Sequence, residues 1–161
     1  MKPRAVAFSA AAFIAITTAA LAQQDGSPFI FIPEFEAQPT QGDYIANYPR
    51  QALRENVSGI AVLCCDERGD RSLDCAVNLE WPEERGFGAA SLVAARAYRL
   101  TPQSHADLAA RPGVKVRLSV RWVGPVPSPE TIEDLRRRDR ESLEACLPPP
   151  DHSAPDLAPV P

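Results

Sequence analysis

The chain has 161 residues, with 17 Lys and Arg against 21 Asp and Glu. That length gives room for one ordinary domain with extensions rather than two. The acidity argues against a nucleic-acid partner, since such binding rests on cations that neutralise phosphates. With two histidines, His105 and His152, and no visible nucleophile–base pair, no enzyme, no catalytic residue, no cofactor and no small-molecule substrate is expected.

The N-terminus reads Met-Lys-Pro-Arg and then an apolar run from Ala5 to Ala22 that closes on Ala20-Leu21-Ala22. A charged start, an apolar middle and a small-x-small end predict a secretory signal over 1–22, cleaved after Ala22. Cleavage would remove Lys2 and Arg4 and leave 15 basic against 21 acidic residues, a net charge of −6. The alternative is a retained inner-membrane anchor. Either way the remainder lies outside the cytoplasm, the expected location being the periplasm, where disulfides form.

Residues 23–43 read as an N-terminal arm of Gly, Ser, Pro and Gln around Phe29-Ile30-Phe31-Ile32 and Phe35. These bulky residues predict an extended segment docked on the domain. A short helix then starts at Pro49, with Ala52, Leu53 and Val57 as its apolar side, and Gly59 breaks it. Asn56-Val57-Ser58 fits the glycosylation pattern, a match too common to carry a role.

Ile60 to Cys65 is apolar on both faces, which predicts a central strand. Gly69-Asp70 predicts a two-residue hairpin turn, and Leu73 to Leu79 forms the returning strand. A turn centred between Gly69 and Asp70 sets Cys64 opposite Cys75, within disulfide reach. The expected pairs among the four cysteines are therefore Cys64–Cys75 and Cys65–Cys146. No metal site is expected, because finger-like ligand spacing is missing. A thiol redox or soft-metal use of Cys64-Cys65 is the alternative.

Gly86-Phe87-Gly88 opens a helix near Ala89–Arg99, with Leu92, Val93 and Ala95 as its apolar stripe and Pro102 ending it. Arg111-Pro112-Gly113 predicts a turn. Beyond it Val116, Leu118, Val120 and Trp122 alternate with Lys115, Arg117, Ser119 and Arg121, which predicts a half-buried strand with a solvated basic face. Ser128-Pro129-Glu130 starts a C-terminal helix over 128–147. Ile132, Leu135, Leu143 and Cys146 lie on one side of it, Asp139 interrupts that stripe, and of its four arginines Arg137, Arg138 and Arg140 meet Glu133, Asp134 and Glu144 at i,i+4. Six prolines between Pro148 and Pro161 predict a disordered tail over 148–161.

The ordered set of motifs resembles the TonB C-terminal domain family. Tyr48-Pro49 with Ala52 is similar to the family's Tyr-Pro-x-x-Ala opening, and Gly59 leads the first strand as the family's Gly does. Leu73, Cys75 and Val77 resemble its second strand. Glu80, Pro82 and Gly86-Phe87-Gly88-Ala89-Ala90 are similar to the helix start of a small exported subgroup that carries a cysteine on each hairpin strand. Ala94-Ala95-Arg96-Ala97-Tyr98-Arg99-Leu100 with Pro102 resembles the family's helix end.

The resemblance covers about residues 47–123 and implies an α+β fold over 44–125. Its core would be a small three-stranded antiparallel sheet with packed helices, extended here by the C-terminal helix. It implies that a partner strand adds to the edge of the last strand, here Val116, Arg117, Leu118, Ser119, Val120, Arg121, Trp122 and Val123. The partner would be a protein segment, such as part of an outer-membrane receptor or another envelope protein. The implied function is strand capture by an exported binding module, with membrane-anchored energy transduction as the alternative. Transduction needs a long spacer, and the 25 residues between Ala22 and Tyr48 reach only about 85 Å when fully extended.

Overall fold

A computed structural model describes residues 31–147. The expected signal at 1–22, Phe29-Ile30 of the arm and the Pro-rich tail at 148–161 lie outside the described residues. In chain order the elements are β1 (Phe35–Ala37), α1 (Gln41–Asn47), α2 (Arg50–Arg54), β2 (Gly59–Glu67), β3 (Leu73–Trp81), α3 (Phe87–Ala95), β4 (Arg99–Leu100), α4 (Pro102–Ala109), β5 (Val116–Trp122) and α5 (Pro129–Glu141). The fold is α+β, and its strands form two small antiparallel sheets, one of order β3-β2-β5 and one joining β1 to β4.

β2 is the middle strand of the larger sheet, as its two apolar faces predict, and Ile60 to Leu63 are fully buried. The hairpin register differs from expectation by one residue. Cys65 stands opposite Cys75, and Cys64 opposite Ala76. The cause is the turn. Arg68 and Ser72 close a loop of three residues centred on Asp70, in which Arg71 N–H donates to Arg68 O and Arg68 N–H to Ser72 O. A two-residue primed turn would need positive φ at Gly69, and in its type I′ form at Asp70 as well. Neither adopts it, and Arg71 does instead, at 67°. The Asp70 carboxylate accepts from the Ser72 N–H and holds the loop in this form. Because side chains alternate between faces, the slip exchanges the partners of every side chain on the hairpin.

The disulfides follow that register. They are Cys65–Cys75 and Cys64–Cys146, not the expected Cys64–Cys75 and Cys65–Cys146. Adjacent residues on a strand point to opposite faces. Cys65 thus shares a face with its cross-strand neighbour Cys75, and Cys64 projects to the other face, where the end of α5 brings Cys146.

One face of the sheet carries two linked cores. Leu63, Cys65, Val116 and Leu118 pack with Ala95, Leu100, Leu108 and Phe31. Ala52, Phe87, Ala90, Val120 and Trp122 form the second, flanked by Tyr44, Tyr48 and Val57. Trp122 stands edge-on to Tyr44 and Tyr48 and donates its indole N–H to Ser91 Oγ at 2.8 Å. The buried side of α3 is Phe87, Gly88, Ala90, Ser91, Ala94 and Ala95, so the expected stripe is rotated and Val93 is 43% exposed. Gly59 is required by this packing, since a Cβ there would lie 2.3 Å from Phe87 Cδ2. The start of α3 lacks a local cap. Glu80 on β3 supplies one, its carboxylate accepting from the N–H groups of Arg85 and Phe87 at 3.1 and 2.9 Å.

Two helices, α1 and α4, and the short strand β4 were not expected from sequence. Thr40 and Asp43 form a capping box that starts α1 inside the arm. Thr101 caps α4, so Pro102 begins a helix rather than ending one, and α3 stops at Ala95. The arm docks as expected, through β1: Phe35 pairs with Leu100, and Glu34 O accepts from Thr101 N–H. Asn56 also has a structural task. Its side chain bonds both the N–H and the C=O of Val126, at 3.1 and 3.0 Å, and fixes the segment after β5.

α5 lies on the face opposite the two cores, where Leu135 is buried, and Cys64–Cys146 ties its end to β2. Ser128 caps its first turn as predicted. Arg136, Arg137 and Arg140 pair with acids of the same helix, while Arg138 also stacks on Trp81 at 3.9 Å.

Candidate partner-binding edge

β5 forms because branched and aromatic residues alternate with polar ones over Val116–Trp122, after a Pro112-Gly113 turn in which Gly113 takes φ 85°. Val116, Leu118, Val120 and Trp122 are buried in the two cores. Arg117, Ser119 and Arg121 point to the α5 face. Val123 lies just past the strand and is exposed.

The inner edge of β5 is paired with β2 from Gly59–Trp122 to Cys65–Val116. β5 ends the sheet order, so its outer edge is that of a terminal strand, and no other described strand pairs with it. The described arm runs along β4 instead. Phe31, at its start, is buried in the core, and the Arg111 guanidinium stands 5.7 Å from its ring, at the turn that leads into β5.

The sequence predicts a solvated basic face, and the structure covers part of it. Arg117 keeps only 13% of its side chain exposed. Its guanidinium donates to Asp139 Oδ1 at 2.7 Å, to the Asp139 and Ser142 carbonyls at 2.9 Å each, and to Ser142 Oγ at 2.8 Å. It thereby adds a charged donor to two carbonyls at the end of α5 that also accept from Ser142 Oγ and the Ala145 N–H. Asp139 interrupts the apolar stripe of α5 because it meets this cation. Burial opposes the charge of Asp139, but the hydrogen bond from Arg117 and the charges of Arg117 and Arg121 outweigh it and hold the carboxyl below its usual range. Lys115 is paired with Asp66 at 2.7 Å.

The cysteines are not part of this edge. All four are in disulfides, so Cys64 and Cys65 are bonded to different partners on opposite sides of the sheet. An open depression of about 210 Å³ lies between β3 and the end of α5, lined by Leu79, Arg138, Glu141, Ser142 and Ala145. No helix of the described residues is long and apolar enough to cross a membrane.

The interruption of an apolar stripe by Asp139, read beside a strand with alternate arginines, is the sequence signal that could have paired Arg117 with α5. Nothing local to residues 115–123 reveals that Arg117 is covered and Arg121 is not. Comparison of the chain with protein-family models, with curated proteins and with solved structures gives no match.

Proposed function

We propose that this chain is an exported, non-catalytic binding module that accepts an extended segment of an envelope protein along the outer edge of β5. The observation that carries this reading is a regular seven-residue terminal strand whose apolar face is buried and whose polar face is covered at Arg117. α3 and the arm pack on one side, and α5 on the other. What such a strand has left to offer is its row of backbone N–H and C=O groups, which is the surface used in strand addition. Two disulfides and the Arg117–Asp139 contact hold the central strands in place. A preformed edge loses little order on binding, which favours affinity. The resemblance to the TonB C-terminal domain supports the same edge and an outer-membrane or other envelope protein as the partner.

Peptides selected by panning against the folded chain test this reading. A bound peptide is expected to slow amide exchange at alternate residues of Val116–Trp122. Protection confined to β3, or none on either edge strand, would overturn the proposal. The mass of the exported protein tests the location, with a start at Gln23 expected.

A further inference from the structure

The cations along the α5 face of β5 differ in how they are satisfied. Lys115 has Asp66, and Arg117 has Asp139 and the end of α5. Arg121 is exposed, and its guanidinium makes no hydrogen bond or ion pair with a described residue. Its position explains why. The residue opposite it on β2 is Ile60, which is apolar and fully buried. Its same-face neighbours along β5 are Ser119 and Val123, neither of them an anion. The Asp139 carboxylate feels the Arg121 charge, yet the guanidinium it accepts from is that of Arg117. The inner edge therefore offers Arg121 no counter-ion. The side from which one can come is the outer edge, where an added strand would place a side chain directly beside it.

We infer that the strand accepted by β5 carries a carboxylate, Asp or Glu, at the position beside Arg121. This inference rests on the strand-accepting reading of β5 and adds the chemistry of the partner. A basic side chain in that place would stand next to the unpaired Arg121 guanidinium and would be disfavoured. Directly opposed charges on neighbouring strands are favourable by a modest amount, so the carboxylate sets selectivity more than affinity.

The test uses the full exported chain and three synthetic peptides of alternating valine and threonine that differ only in a central glutamate, glutamine or lysine. The glutamate peptide is expected to bind about two- to fivefold more tightly than the glutamine peptide, with the lysine peptide weakest. The order should reverse in Arg121→Glu, an exposed substitution whose fold is checked by circular dichroism. The preference should also shrink in high salt, as exposed pairs are screened. Equal affinities for the three peptides, with β5 amides still protected on binding, would overturn the charge preference and leave the strand-accepting reading standing. Failure of all three to bind or to protect β5 would overturn both. Arg121 would then act as a charge that keeps an edge strand from pairing.

Discussion

Arg117 Nη2 on β5 lies 2.7 Å from Asp139 Oδ1 on α5, and the same guanidinium bonds the carbonyls of Asp139 and Ser142. One side chain thus closes the end of a helix and fastens that helix to the sheet. Removing one member of a partly buried, hydrogen-bonded ion pair leaves the other desolvated and unpaired. Arg117→Ala is expected to cost about 2–4 kcal/mol in urea unfolding. Arg121→Ala, two turns of the pleat away on the same face, should stay within about 0.5 kcal/mol. Similar costs for both would mean that Arg117 is as solvated as its neighbour.

The same contact sets an acid limit on stability. The carboxyl of Asp139 is held below its ordinary value of 3.8, so the folded state binds its proton less readily than the unfolded chain. Its contribution is complete above the unfolded value and is lost as pH falls through the lower folded one. Asp139→Asn should therefore destabilise the protein at neutral pH and lose less stability than the parent between about pH 4 and pH 2. Parallel pH profiles of unfolding midpoint for the two proteins would refute the assignment.

Non-reducing peptide mapping should recover Cys64 linked to Cys146 and Cys65 linked to Cys75. On the chain-entropy model, the link spanning 82 residues contributes about 4.5 kcal/mol and the link spanning 10 about 3 kcal/mol. Cys146→Ser should thus lower stability more than Cys75→Ser, although each leaves a single free thiol. Recovery of Cys64 with Cys75 would restore the two-residue turn and reverse the hairpin register.

In the core, Trp122→Ala should cost roughly 3–5 kcal/mol, since it empties the centre of an aromatic cluster. Val93→Ala, on the exposed side of α3, should cost below about 1 kcal/mol. Gly59→Ala is expected to be worse than Val93→Ala despite its smaller change, because the new methyl would meet Phe87 and the Trp81 carbonyl, the latter at 2.7 Å. Thermal unfolding of the three variants gives the ranking.

Much of the architecture is written in local patterns. Apolar residues on both faces of Ile60–Cys65 require a central strand, and strict alternation over Val116–Trp122 defines a buried and a polar face. Ser128-Pro129 caps and opens α5 through its own side chains, and the Thr40–Asp43 and Thr101-Pro102 caps carried equally local signals for α1 and α4. By contrast, the hairpin register depends on whether Gly69 or Arg71 takes the left-handed conformation, and both turns are compatible with the residues 68–72. Packing of Cys65 and Cys75 into one core decides between them. The disulfide pairing inherits that choice, together with the placement of α5, whose Cys146 lies 82 residues beyond Cys64. The same placement covers Arg117 and leaves Arg121 open. Side-chain period and capping are properties of a few adjacent residues, and the sequence by itself determines them. Register, cysteine partners and the burial of one arginine among three cations are set by contacts between distant segments, and these only the tertiary structure decides.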